Sequence, residues 1–282
     1  MEGGRRQPGL VLCPTPIGNL DDVTLRVLAA LASADVVACE DTRHTGALLR
    51  RHGISARALV SFHEHNERRR APELIARMRR GEVVALVSDA GTPLVSDPGY
   101  VLVRRCLQDG LQVEALPGPS AVTTALVASG LPAASFRFVG FLPRARAQLQ
   151  ALLDDARETV VAFESPRRLP ATLALLAERD PQRPLAVCRE LTKLHEEVRR
   201  GSARELAEHY ALEPPRGEIV LVFGAASHAG EDREGAVRAV RELIDAGAKP
   251  RRAAAAVGRL SGVPANDLYR EVAGERRASA RQ

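Results

Sequence analysis

Val83, Val84, Ala85, Leu86 and Val87 form an apolar run with the length and β-branched content of a buried strand. The run empties directly into Ser88-Asp-Ala-Gly-Thr-Pro-Leu-Val-Ser-Asp-Pro-Gly99. Two Gly, two Pro, two Asp, two Ser and one Thr in these twelve residues predict a loop that turns repeatedly and offers main-chain amides and carbonyls at close range. A strand end of this kind is where open α/β proteins hold a small polar ligand. Taken alone, the segment also reads as an ordinary connection between strand and helix. What gives it weight is that similar segments recur along the chain.

Leu10 to Cys13 predict a strand that runs into Pro14-Thr-Pro-Ile-Gly-Asn-Leu20, after which Asp21 or Asp22 is positioned to cap a helix from Val23 to Ala34. Val36 to Cys39 predict a second strand ending at Glu40-Asp-Thr-Arg-His44. Two carboxylates, an Arg and a His at one strand end suit acid/base work or a backbone phosphate. Asp41 or Thr42 capping the next helix, with Arg43 in a surface pair, explains the same residues. Leu59 to Phe62 lead to His63-Glu-His-Asn-Glu67, whose two histidines lack the further ligands a metal needs, so polar groups that orient a substrate are the reading and no metal site is assigned. Arg68 to Arg70 then form a basic cluster before a helix expected over Pro72 to Arg80, as a solvated face or a phosphate contact. A helix from Tyr100 to Asp109 and a strand at Val113 to Leu116 end in Pro117-Gly-Pro-Ser-Ala121, which opens a small-residue helix to Ser129.

The alternation continues with strands at Phe138 to Phe141, Thr159 to Phe163 and Leu185 to Cys188, and with helices around Gln148 to Ala156, over Leu169 to Glu178, and from a Gly201-Ser202 cap to His209. Gly217 to Gly224 read as a buried final strand. Strands alternating with helices in this way predict two α/β domains, drawn at 1–117 and 118–226. No G-x-G-x-x-G occurs, which excludes the dinucleotide fingerprint. Ser227 to Gly230 read as a linker, and residues 231–275 as a helical module resembling a helix-turn-helix, with helices at Ala236 to Ala246, Arg251 to Leu260 and Ala265 to Val272. Its Arg251, Arg252, Arg259 and Arg270 suit nucleic acid, although such triplets also serve as structural caps.

Composition narrows the partner. Net charge is +5, and all but two of the 40 basic residues are arginine, the exceptions being Lys193 and Lys249. An anionic partner is favoured, and arginine forks match phosphate. Aromatics are only 3% with no Trp, which argues against base stacking on an aromatic platform. Cys13, Cys39, Cys106 and Cys188 show no paired spacing, so a reducing, cytoplasmic setting is expected. No apolar run reaches the ~20 residues of a membrane span, and the first six residues lack the apolar core of a signal peptide.

Pro14-Thr-Pro-Ile-Gly-Asn-Leu20, Glu40-Asp-Thr-Arg43, Ser88 to Gly99, Pro117-Gly-Pro-Ser-Ala121, Phe163-Glu-Ser-Pro-Arg167, Arg189-Glu-Leu-Thr-Lys193 and Gly217-Glu-Ile-Val220, in that order, resemble the tetrapyrrole-methylase superfamily. Within it they are similar to the bacterial methyltransferases that modify the ribose 2′-hydroxyl of a cytidine in the decoding region of 16S ribosomal RNA. The resemblance implies two α/β domains with S-adenosylmethionine in an inter-domain cleft, a homodimer, and 16S rRNA or the small ribosomal subunit as partner. Carried over by position, the main cofactor loop is Ala90, Gly91, Thr92, Leu94, Val95 and Asp97, with Ser120 and Ala121 on a second wall. Phe163 and Leu191 approach the adenosine, Glu218, Ile219 and Val220 close the floor, and Pro16 and Gly18 line the mouth.

A ribose hydroxyl becomes a useful nucleophile only as its proton leaves, so a general base is expected. The candidates are Glu40, Asp41 and His63, with His65 beside them, while Arg43 holds an adjacent phosphate. Two rival readings share part of this pattern. A methylase of a small corrin-type ring shares the cleft and cofactor but has no use for the Arg68 to Arg70 cluster or the appended helices. A nucleic-acid-binding protein without catalysis has no use for the cofactor loops.

Overall fold

Side-chain alternation along five short strands gives the first sheet two apolar faces. A computed structural model describes residues 7–226, 233–261 and 263–279; the linker read at Ser227 to Gly230, and Gly262, lie outside the described residues. The chain divides into two units, the first made of Met1–Ala128, Cys188–Val198 and Gly217–Val220, the second of Ser129–Val187, Arg199–Arg216 and Leu221–Gln282.

In the first unit, β1 (Gly9–Leu12), β2 (Val36–Cys39), β3 (Leu59–Ser61), β4 (Val83–Leu86) and β5 (Gln112–Ala115) form one sheet in the order β3-β2-β4-β1-β5. Its strand pairs are parallel. Val37, Cys39, Val83 and Ala85 pack on one face against Val27, Ala30 and Leu31 of α1 (Leu25–Ser33) and Leu49 of α2 (Thr42–Arg51). Val36, Ala38, Val84 and Leu86 pack on the other against Leu74, Ile75 and Met78 of α3 (Glu67–Arg79) and Leu102 and Cys106 of α4 (Tyr100–Gln108). Helices on both faces explain why β2 and β4 are buried along their whole length. α5 (Ala121–Ser129) follows the fifth strand.

The second sheet has the order β6-β7-β10-β8-β9, from β6 (Phe136–Phe141), β7 (Thr159–Glu164), β8 (Pro184–Arg189), β9 (Glu197–Ser202) and β10 (Ile219–Phe223). α6 (Arg146–Asp154), α7 (Leu169–Arg179) and α8 (Ala203–Leu212) accompany it. In the second unit Arg183 is buried, its Nε and Nη1 donating to the carbonyls of Gly224 and Leu153, both at 2.8 Å. Burial pulls its guanidinium down to about 10, against the nearby charges of Asp180 and Asp154. α9 (Arg233–Asp245), α10 (Pro250–Ser261) and α11 (Ala265–Ser279) share an apolar core that includes Val240, Ala254 and Leu268. Among the described residues no helix is long and apolar enough to cross a membrane. The α/β class with two sheets is as expected.

Four local expectations are corrected. α1 is capped by Thr24, whose hydroxyl accepts from the Val27 N–H at 3.2 Å, and not by Asp21 or Asp22. Those two residues belong to a turn around Asn19, whose side chain and carbonyl take their N–H groups. α3 begins at Glu67, so Pro72 lies inside it and Arg68 to Arg70 ride on its first turns. Asn66 sets this start: its side chain bridges the His63 N–H and the Ser61 carbonyl, and its own carbonyl accepts from Arg69 and Arg70. β9 is a strand that its charged sequence did not announce, and α11 runs seven residues past Val272 to Ser279.

Candidate functional site

The carboxyl ends of β1 and β4 lie side by side, in register from Gly9↔Val83 to Leu12↔Leu86. The helix that follows β1 packs on one face of the sheet and the helix that follows β4 on the other, so the two loops leave the same edge toward opposite faces. Thr15 and Gly91 join these loops through a two-bond antiparallel bridge, N–H to carbonyl at 2.8 and 2.9 Å. The buried Thr15 hydroxyl donates to the Ser88 carbonyl at 2.9 Å, and the Ser88 hydroxyl to the Gly91 carbonyl at 3.0 Å. Thr92 adds the third loop by donating to the Pro119 carbonyl at 3.1 Å.

A second arm of the first unit closes on the same place. The Asn19 N–H donates to the Thr192 hydroxyl at 2.9 Å. Gly18 is required here, because a Cβ would fall 2.5 Å from Lys193 Cγ and 2.9 Å from the Leu191 carbonyl oxygen. Lys193 Nζ bridges Glu190 at 3.0 Å and Glu218 at 2.9 Å, and the Glu218 N–H donates to the Glu190 carboxylate at 2.8 Å. Leu94, Ser96, Glu190 and Thr192 have φ of 73°, 66°, 51° and 65°, and they are the left-handed non-glycine residues among those described. Such a conformation costs on the order of 1–3 kcal/mol per residue and persists where neighbouring contacts over-determine it. All four fall in the two loops that the motifs singled out.

Carboxylates gather along this edge. Asp89 donates its N–H to Glu40 Oε1 at 3.3 Å and accepts the Asp41 N–H on Oδ1 at 3.1 Å. Burial raises the Glu40 carboxyl above its ordinary range; the Asp89 N–H offsets part of this, the Asp89 charge adds to it, and His63 lowers it. Burial, then the Glu40 charge, pushes Asp97 up to about 7, against the pull of the Ser88 hydroxyl. His63 Nδ1 is buried with no hydrogen-bond partner. Asp41 is in a different situation. It caps α2 through the Arg43 N–H and grips the Arg43 guanidinium with both oxygens, at 3.2 and 2.8 Å. That grip holds its carboxyl well below the usual range, while the Arg43 side chain stays 90% exposed.

Because the folded Asp97 pKa lies above its unfolded value, the protonated form favours folding and that contribution is lost as pH rises towards 7. Asp97→Asn is therefore expected to match the wild type near pH 4 and to exceed it above pH 7. The gain is about 2 kcal/mol once solvent screening of this half-exposed group is allowed for. Urea unfolding at a series of pH values measures it, and a pH-independent difference would refute it.

Pro16, Gly18, Ala90, Gly91, Thr92, Leu94, Val95, Asp97, Ser120, Ala121, Leu191, Glu218, Ile219 and Val220 all belong to the first unit, together with Glu40, Asp41, Arg43 and His63. Phe163 belongs to the second, on β7, with Phe138 and Phe141 edge-on at 5.1 and 5.5 Å. Ile219 and Val220 are buried strand residues, whereas the Glu218 side chain is largely exposed. Sequence reading passed over Thr15, Asp89 and Thr192, each of which ties two motifs together. Their signal was present, since each lies inside a quoted motif.

Residues 9–207 match the family model of the tetrapyrrole (corrin/porphyrin) methylases. A ribosomal RNA small subunit methyltransferase I from Mesorhizobium japonicum is 45% identical over 271 residues, covering 94% of this chain and 92% of the relative. A uroporphyrin-III C-methyltransferase structure from Thermus thermophilus superposes with a TM-score of 0.54 at 27% identity, over 76% of this chain and 94% of that one. Another structure of that kind, complexed with S-adenosyl homocysteine, gives 0.53 at 22% identity over 77% and 97%.

Proposed function

Because the chain belongs to the tetrapyrrole (corrin/porphyrin) methylases and to the ribosomal RNA small subunit methyltransferase I family, we propose that it methylates the 2′-hydroxyl of a cytidine ribose in the decoding region of 16S rRNA. S-adenosylmethionine supplies the methyl group on a sulfonium. The residues fit such a group. Left-handed Leu94 and Ser96 turn the chain sharply in a loop that also carries Asp97, and Gly91, at φ 79°, anchors that loop through both its main-chain groups to Thr15.

Transfer from a sulfonium is an in-line displacement, so the protein's main task is alignment. The observation that carries the reading is a carboxylate of raised pKa, Glu40, fixed beside those loops by the Asp89 N–H. Glu40 takes the proton from the ribose oxygen as the methyl is received, with His63 beside it. Asp41 orients Arg43, whose exposed guanidinium has N–H groups to spare for a neighbouring phosphate. The same reading includes a homodimer, α/β domains at 1–117 and 118–226 and a helical module at 231–275, with 16S rRNA or the small subunit as substrate.

Mapping ribose methylation in rRNA from cells with and without this protein tests it. The expected result is one cytidine that loses its 2′-O-methyl group and regains it when purified protein and cofactor are added. An unchanged methylation map would overturn the assignment.

A further inference from the structure

Between α3 and α4, in the first unit, runs a groove of about 390 Å³ whose walls include Arg68, Pro72 and Arg79 from α3 and Tyr100, Arg104 and Arg105 from α4. Helical spacing brings these together: Arg68 and Pro72, like Tyr100 and Arg104, are four apart and share a face. Four arginines face one carboxylate, Asp109, which pairs with Arg79 at 3.0 Å and Arg105 at 3.4 Å. Among the described residues no carboxylate pairs with Arg68 or Arg104, and both are exposed. The groove is thus a concave surface with excess positive charge, and Tyr100, 64% exposed, sits at its rim.

Its position gives the charge a purpose. α3 starts where the His63 to Asn66 loop ends, and α4 starts at the end of the Ser88 to Gly99 loop. Glu67 locks the two starts together, its carboxylate accepting from the N–H groups of Gly99 at 3.1 Å and Val101 at 2.9 Å. The groove therefore leads away from the edge where Glu40 and Asp97 lie. Resting on the rRNA reading above, we propose that it holds the single-stranded sugar–phosphate backbone flanking the target nucleotide. Arg68 and Arg104 bind phosphates, and the Tyr100 hydroxyl contacts the backbone.

The test compares the full-length protein with its Arg68→Ala/Arg104→Ala double variant, using a single-stranded RNA of decoding-region sequence and binding titrations over a range of salt. Removing two phosphate contacts should reduce the slope of log affinity against log salt by about 1.4, at roughly 0.7 per contact, and weaken binding about tenfold at low salt. Cofactor affinity in calorimetry should not change, and Arg68→Lys/Arg104→Lys should restore most of the slope. An unchanged slope and affinity would overturn the proposal, as would absence of RNA binding by the wild type. So would a double variant that elutes at half the wild-type mass, since the groove would then be a subunit interface. Arginine-dependent RNA binding without cytidine methylation would instead sink the assigned reaction and leave the groove standing.

Discussion

Replacing Glu40 by Gln is expected to lower kcat for RNA methylation by a factor of about 10²–10⁴, the range for loss of a positioned general base. Gln is nearly isosteric and still accepts from the Asp89 N–H, so the loop and the cofactor affinity should persist. Only the capacity to take a proton disappears. The pH profile separates this from a structural defect. A base works when deprotonated, and burial places the Glu40 pKa above the ordinary carboxylate range. The wild-type rate should therefore climb with pH through that raised value, and in Glu40→Gln this limb should vanish. If kcat stayed within about threefold of the wild type and kept the limb, the base would have to be another group.

Replacing Glu164 by Ala is expected to destabilise the protein by about 2–4 kcal/mol, the scale for emptying a buried, hydrogen-bonded ionic site. Glu164 lies in the Phe163-Glu-Ser-Pro-Arg167 motif, and its side chain is fully buried. One oxygen accepts from the Ser165 N–H at 2.7 Å, the other from the buried Thr172 hydroxyl at 2.7 Å, with Arg168 Nη2 at 3.3 Å. Truncation leaves these donors without their acceptor. Arg168 also donates to the carbonyls of Leu142 and Pro143, so the damage should spread to the chain that follows β6. Glu164→Gln keeps an acceptor and should lose roughly half as much. Denaturant titration gives both values, and a loss below about 1 kcal/mol for Ala would show that the motif is not held together this way.

Much of this was legible in local sequence. Val36 to Cys39 is read and observed with the same bounds, because an unbroken apolar run, half of it β-branched, suits a strand buried on both faces. Ser202 was expected to cap α8 and does so in a capping box with Glu205, since a cap depends on residues three apart. The loops at strand ends were legible for the same reason: Gly and Pro impose their dihedral limits wherever they stand. β9 was not, because Glu197, Arg199 and Arg200 carry no strand pattern of their own, and at the edge of the sheet, paired with β8 alone, it needs none.

What the sequence by itself determined is the α/β alternation, the places where the chain must turn, and the residue types available there. Tertiary structure alone decided which turns meet and which acid is which. Pairing β1 with β4 brings Thr15 to Gly91, and the two loops join there. Pairing β2 with β4 puts Asp89 between Glu40 and Asp41, so one carboxyl is half-buried with a raised pKa while its neighbour is spent on a helix cap and an arginine. The physical reason is range. Dihedral preference and capping act over a few residues, whereas burial and charge depend on whatever the sheet order brings alongside.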